Sequence, residues 1–406
     1  GPTLSLRGLD NRAYYRHLPH HPGRLVNDTG TGNTLACDHP VVQRLVLDSL
    51  RHFVRHAGVD GFRFDLAPVL GRHASGFNRE TELLRKIVAD PDLADRILIA
   101  EPWDIGPGGY QLGNFPEPFL EWNDRFRDDI RRFWRGDKGM VGALATRLAG
   151  SFDVFGRSQA TRTVNFVAAH DGMTLADLVS YGKKNNHRNG EHNHDGHHEN
   201  FSWSNGVEGE TENPDVLKAR ERDLRALLAT LFASRGAIML TAGDEFGRSQ
   251  GGNNNAYAQD NEITWLDWNT RDTELETYVG ELSALRRRFA QLGEMHLLTG
   301  ESGAHGVPDV RWLRPDGEPM TVADWEDAEC RCLAMLLAGD RDAMLGVLVN
   351  GADREIAFSL PEGEWSPALT DAAAHEADAG TFQVAARSVV FVECKMGAKG
   401  RKSSRR

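Results

Sequence analysis

The chain has 406 residues, enough for two domains or for one large barrel with a satellite. Hydrophobic residues make up 40% and charged residues 26%, an ordinary globular balance. A formal net charge of −12 argues against binding to nucleic acid or anionic membrane, and no apolar run of about 18 residues marks a membrane span.

Residues 41–58, "VVQRLVLDSLRHFVRHAG", have helical periodicity and stop at a glycine. "VDGFRFD" follows as a short strand, "ETELLRKIVAD" as a helix and "RILIAEPW" as a buried strand. "EWND" reads as a short strand before the helical "RFRDDIRRFWRG". "TRTVNFVAAHD" reads as a strand, "LKARERDLRALLATLFAS" as a long amphipathic helix and "GAIMLTAGDE" as the last strand of the series. Strands alternating with helices imply parallel pairing, in an α/β barrel or an open sheet. After about residue 295 the pattern changes. "MLGVLVNGA", "EIAFSLP" and "TFQVAARSVVFVE" are strands between Gly, Pro and Asp turns, as in a small antiparallel β domain. The last twelve residues carry six basic side chains and no apolar face, which reads as a disordered tail.

Two minor features have plain readings. Cys37, Cys330, Cys332 and Cys394 lack metal-ligand spacing and read as reduced thiols in a cytoplasmic protein. The segment 183–206 holds His187, His192, His194, His197 and His198, but no HExxH-type spacing on a helix. Its Asn and Gly content predicts a flexible loop rather than a metal site.

"GFRFDLA" places opposite charges in an apolar run. On a strand, Phe62 and Phe64 share one face, and Arg63 and Asp65 share the other. Charged residues at the C-terminal end of a barrel strand belong to an active site, with an internal ion pair as the simpler reading. Glu101 ends "ILIAE", and His170 and Asp171 end "NFVAAHD", so three strands in chain order end in carboxylates. Paired carboxylates across a sugar bond carry out glycoside hydrolysis. Asp65 beside Arg63 is expected to attack the anomeric carbon, and Glu101, in an apolar setting, to donate a proton. His170 and Asp171 would hold the sugar and its developing charge. Trp103 and Tyr110, in "EPWDIGPGGYQLGNFP", either pack on sugar C–H faces or belong to the core.

"GFRFDLA", "IAEPWDIGPGGYQLGNFPEPFLEWNDRFRD" and "VAAHDGMTLADLVSY" resemble the α-amylase superfamily, and within it the isoamylase-type bacterial glycogen debranching enzymes. "SLRGLDNRAYY", "DTGTGNTL" and "AGDEFGRSQGGNNNAYAQDNEITWLDW" point to the same branch. The resemblance runs from residue 1 to about 394. It implies Asp65 as nucleophile, Glu101 as general acid/base, Asp171 as transition-state stabiliser, and Arg63 and His170 as substrate contacts. The implied mechanism is retaining, by double displacement, on α-1,6 branch points of glycogen or limit dextrin. No metal or organic cofactor is implied, and the location is cytoplasmic. The loops 104–121, 181–212 and 243–262 are expected to set linkage preference.

The implied fold is α/β, a (β/α)8 barrel followed by an antiparallel β-sandwich. The family's early Asp and His motif, near the third barrel strand, is absent, and Gly1 is not a methionine. About strands four to eight are therefore expected over residues 1–294, with the β-sandwich over 295–394 and the basic tail over 395–406. The partner of this chain is a branched α-glucan, and an N-terminal barrel half is expected to be required. Two alternatives stand beside the debranching enzyme. One is a non-catalytic remnant. The other is an isoamylase, a trehalose-releasing hydrolase or another α-glucan hydrolase of the superfamily.

Overall fold

A computed structural model describes residues 4–395, apart from 74, 159, 302–307, 339–342, 370–372 and 379. The expected tail lies outside the described residues, save for Lys395. The chain forms two compact units, Gly1–Asn123 with Arg162–Val164, and Asp124–Thr161 with Asn165–Arg406.

In the first unit, helix α1 (Pro40–His52) starts with Pro40 in its first turn, where a missing N–H costs nothing. The His39 side chain accepts from the Val41 N–H, and Val42, Leu47 and Leu50 are buried. A π-helical turn, Phe53–Ala57, carries the helix to Gly58, whose φ of +66° is the left-handed stop expected of a glycine. Strand β1 (Gly61–Phe64) then pairs in parallel with β2 (Ile97–Ala100), and β2 with β3 (Leu120–Asn123). Helix α2 (Glu82–Ala89) connects β1 to β2 and buries Leu83, Leu84 and Ile87. The core of this unit gathers Phe64, Leu98, Ala100, Phe115 and Phe119 around those helices. Ile97, in the strand expected to be buried throughout, is 54% exposed.

Strand β4 (Thr163–Asn165) crosses the unit boundary and is far shorter than its apolar run suggests. Strand β5 (Ala237–Ile238) is likewise only two residues. Within the second unit the Asn165 carbonyl accepts from the Met239 N–H at 2.8 Å, and Asn165 Nδ2 donates to Ser234 Oγ at 3.0 Å and to the Arg235 carbonyl at 2.9 Å.

The second unit contains helices α3 (Asp124–Arg135), α4 (Val141–Leu148), α5 (Pro214–Ala233) and α6 (Thr273–Arg288). Asn213 caps α5, and Val216, Arg220, Asp223, Leu227 and Leu231 recur on its buried stripe. Helix α6 is not among the expected elements. Its signal is nonetheless present: Asp272 caps it, and Leu275, Val279 and Leu282 form one apolar stripe.

Five antiparallel strands follow in the order β6-β7-β8-β13-β10: β6 (Val310–Leu313), β7 (Cys332–Ala338), β8 (Ala343–Asn350), β10 (Glu364–Pro367) and β13 (Ser388–Lys395). A second sheet has the order β9-β12-β11: β9 (Ile356–Ser359), β11 (Ala374–Asp378) and β12 (Thr381–Val384). Side chains alternate between the two faces of the larger sheet. Leu336, Leu348, Val390 and Val392 meet Phe358, Phe382 and Val384 of the smaller sheet, which makes a sandwich. Met335, Val347, Val349 and Phe391 join the same core as the helices of this unit. Burial on both faces explains the unbroken apolar run of β8, whereas a half-exposed strand alternates. The expected single strand "TFQVAARSVVFVE" is two strands in different sheets. Arg387, at φ +50°, turns the chain between them, and its guanidinium binds the buried Asp223.

Candidate active site

Strand β1 alternates as its sequence dictates. The Phe62 and Phe64 rings lie 6.3 Å apart, and Phe64 packs on Phe119 in the core. Arg63 projects from the other face. Its Nη1 donates to Asp65 Oδ1 at 2.7 Å, and its Nη2 lies 3.0 Å from Glu101 Oε1. One guanidinium therefore joins the acids that end two adjacent strands. Its carbon also sits 4.3 Å from the centre of the Trp122 ring, a cation–π contact that fixes the plane of the fork. Trp122, in β3, is not among the expected site residues. Its place in the strand-like "EWND" was the available signal.

The two carboxylates have different surroundings. Asp65 is 74% exposed at its side chain, and Glu101 is 5% exposed. Three bonds hold Glu101 to the turn after β1. Its N–H donates to the Phe64 carbonyl, its carbonyl accepts from the Ala67 N–H, and Oε2 accepts from the Leu66 N–H at 2.7 Å. Leu66 adopts φ +42°, an uncommon left-handed geometry for a bulky residue. The bond to Glu101 is the contact that this turn obtains in return.

Trp103 is half-buried and Tyr110 exposed, both on the loop after Glu101. Buried Arg72 clamps this loop: Nε donates to Asp104 Oδ2 at 2.7 Å and Nη1 to the Pro107 carbonyl at 3.1 Å, with Asp28 at 3.7 Å. Gly106 fits because a Cβ there would stand 2.4 Å from Asp28 Oδ1 and 2.7 Å from Arg72 Nη2. Glu121 holds the far end, accepting from the Gly113 N–H at 2.6 Å and pairing with Arg162 at 2.8 Å. Burial pushes the Glu121 carboxyl up to about 7, against the pull of Arg162. Arg72, Asp104 and Glu121 position the loop and, lying inside longer motifs, carry no separate signal in one sequence.

His170 and Asp171 belong to the second unit. Both are exposed, with Nδ1 and Oδ1 3.9 Å apart. The chain leading to them rests on buried Arg131, whose Nε donates to the Val167 carbonyl at 2.8 Å and Nη1 to the Asn200 carbonyl at 3.1 Å. Burial, with Arg127 beside it, pushes Arg131 down to about 9, while Asp128, Asp244 and Asp171 pull the other way. Asp244, buried, accepts from the Leu175 N–H at 3.1 Å, and burial pushes its carboxyl up to about 7.

The His-rich segment differs from the flexible loop expected of its composition. Asparagine amides tie it to residues 250–255. Asn186 and Asn254 exchange two hydrogen bonds of 2.8 and 3.0 Å, Asn253 Nδ2 donates to Asn189 Oδ1 at 2.8 Å, and Asn255 Nδ2 to Asp195 Oδ2 at 2.8 Å. The asparagines that suggest flexibility in a lone segment find partners in a second segment about 60 residues on. Among the described residues, no three His, Cys, Asp or Glu side chains gather as a metal ion requires.

Residues 304–391 match the family model described as the glycogen debranching enzyme C-terminal domain. The glycogen operon protein GlgX homolog of Mycobacterium tuberculosis is 41% identical over 97% of this chain and 58% of its own length. The glycogen debranching enzyme of Cronobacter sakazakii is 47% identical over 90% of this chain and 54% of its own. Over the matched residues the chain is similar to proteins named glycogen debranching enzyme or GlgX homolog, at 41–47% identity.

The chain spans about half the length of the curated relatives it matches. Its fold is also that of pullulanases. The Paenibacillus barengoltzii pullulanase, solved with maltohexaose and α-cyclodextrin, aligns with a TM-score of 0.73 at 21% identity, over 97% of this chain and 57% of that one. The Bacillus acidopullulyticus enzyme aligns at 0.69 and 22% identity, over 94% and 43%. The fold class is thus the expected one, α/β with a parallel sheet and a C-terminal antiparallel β-sandwich.

Proposed function

We propose that this chain contributes the acid pair of a glycogen-debranching α-1,6-glucosidase. The observation that carries the reading is the Arg63 fork, which joins exposed Asp65 to buried Glu101 in a chain 45–47% identical to proteins named glycogen debranching enzyme. In this reading Asp65 attacks the anomeric carbon while the bond to O6 of the acceptor chain breaks. Glu101 delivers its proton to that O6. A water molecule then attacks the glycosyl–Asp65 ester, returning a proton to Glu101 and releasing a reducing oligosaccharide with retained configuration. To Asp171 and His170 the reading gives the sugar hydroxyls and the charge that develops at the ring. Trp103 and Tyr110 supply apolar faces for the glucan, and the loops 104–121, 181–212 and 243–262 choose the α-1,6 linkage. The reaction draws on carboxylates and water and calls for no cofactor. Among the described residues no helix is long and apolar enough to cross a membrane. We assign the protein to the cytoplasm, where its glucan would be stored.

The test gives the full polypeptide encoded by its gene phosphorylase-limit glycogen, native glycogen and linear amylose in parallel. Rapid release of short maltooligosaccharides from the limit dextrin, with amylose untouched, is the expected result. Comparable attack on amylose would move the protein to the α-amylase side of the superfamily, and no release from any substrate would favour a non-catalytic remnant.

A further inference from the structure

The motif "GGNNNAY" does more than close a loop. Asn254 is 1% exposed, and every polar group it offers is used. Its backbone carbonyl accepts from the N–H of Gly172, the residue after Asp171, at 3.1 Å. Its backbone N–H donates to Asn186 Oδ1 at 3.0 Å, and its Oδ1 accepts from Asn186 Nδ2 at 2.8 Å. Its Nδ2 donates to the His197 carbonyl at 2.8 Å and to Asn200 Oδ1 at 2.9 Å. Asn200 in turn gives its carbonyl to Arg131, which also holds the Val167 carbonyl ahead of His170. The circuit runs from one side of His170–Asp171 to the other through two mouth loops, all within one unit. Gly196 leaves room for it. A Cβ at Gly196 would stand 2.3 Å from Asn254 Oδ1 and 2.9 Å from Asn186 Nδ2, at a φ of +72°.

We propose that Asn254 is a positioning residue that couples the loops 183–200 and 250–255 to the carboxylate of Asp171, so that loop geometry sets the placement of that acid. This rests on the reading of Asp171 given above. Of the five hydrogen bonds, three use the Asn254 side chain: a shorter one takes the donor from buried Asn200 Oδ1 and leaves Asn186 Nδ2 and the His197 carbonyl with one partner each. Misplacement of a reacting group by about 1 Å costs on the order of 10²-fold in rate. Truncation at Asn254 should therefore act on kcat more than on KM.

The experiment uses the full polypeptide with Asn254→Ala, Asn254→Asp, Gly196→Ala, the double variant Gly196→Ala/Asn254→Ala, and Asp171→Asn as reference. Steady-state kinetics on limit dextrin, thermal melts and amide exchange of the peptide around residues 166–176 are measured for each. The expected result for Asn254→Ala is a kcat drop of about 10²-fold with KM within about threefold, and faster exchange near Gly172 at a retained melting transition. The double variant should lose little more than either single one, since both break the same circuit. Asn254→Asp loses the two Nδ2 bonds and sets an acceptor against the His197 carbonyl and Asn200 Oδ1, so it should show the pattern at least as strongly; if the Asn254 variants do not fold, Gly196→Ala, which keeps every Asn254 group, should show it. Normal kcat and normal exchange in the Asn254 variants, with Asp171→Asn inactive, would overturn the proposal. Full activity of Asp171→Asn would instead overturn the reading of the site, and unchanged exchange in the Asn254 variants would then reject the circuit independently.

Discussion

Asp65 and Glu101 share a guanidinium from opposite sides of the solvent boundary, and the two cannot have the same job. Glu101→Gln preserves volume and leaves an oxygen for the Leu66 N–H, so the turn should survive while the transferable proton is lost. We expect kcat on branched glucan to fall by about 10²–10⁴-fold at an unchanged melting temperature. A glycosyl fluoride, whose leaving group needs no protonation, should still react in a single-turnover burst; absence of that burst would remove Glu101 from the acid role. Asp244 makes a different claim. Burial raises its folded-state carboxyl to about 7, so from the ordinary carboxylate range up to about pH 7 the folded chain keeps a proton that the unfolded chain has released. Its contribution is fully present at low pH and is lost as pH rises through about 7. Asp244→Asn should flatten that component, so that the variant gains on the parent in denaturant melts as pH rises from about 4 to about 7. Parallel curves for the two proteins would show that Asp244 does not titrate there.

Among the elements, the β1–β2 pair depends on a glycine. A Cβ at Gly61 would lie 2.4 Å from the Ile97 carbonyl and 2.8 Å from Ile97 Cβ, across the ladder that sets Arg63 opposite Ile99. Gly61→Ala must push the strands apart, at a cost of about 1–3 kcal/mol. Because Arg63 and Glu101 sit two and four residues along the same pair, the activity of this variant should fall even where it remains folded. Unfolding midpoints and kcat measured together would check this; a neutral variant would mean that β1 can slide without disturbing the acids. Helix α5 shows the opposite economy. Its buried Asp223 carries four bonds, from Arg387 twice, Trp203 and Asn205, and so ties the start of β13 to the helix.

At the scale of the molecule, the C-terminal sheet is no detachable satellite of its unit. Leu333, Met335, Val347 and Phe391 complete a core with Leu227, Leu231 and Leu282 of α5 and α6. Ending the chain at about residue 298 should expose that apolar face and yield aggregated protein, whereas a self-contained β domain would leave a folded remainder. Size-exclusion and circular dichroism of the truncated chain would decide. The other edge is at β1, which among the described residues pairs with β2 alone. An unpaired parallel strand invites association, so the 406-residue chain by itself should be poorly active and elute as oligomers. A monodisperse, fully active monomer would refute this.

Local pattern determined a good deal. The alternation of Phe62, Arg63, Phe64 and Asp65 follows from strand geometry and the glycine stop at Gly58 from backbone chemistry, so these were readable from neighbours in sequence. The places of Asp65 and Glu101 just past β1 and β2 were legible for the same reason, whereas His170 and Asp171 lie well beyond β4, which stops at Asn165. What the chain alone could not display were groups whose meaning depends on distant partners. Trp122 matters because Arg63 lies over its ring, Arg72 because Asp104 meets it 32 residues away, and the asparagines of the His-rich segment because residues 250–255 return their hydrogen bonds. The split at Arg387 was likewise decided in three dimensions, where its left-handed backbone and its bonds to buried Asp223 end one strand and begin the next, against the continuous strand that β-propensity alone favours.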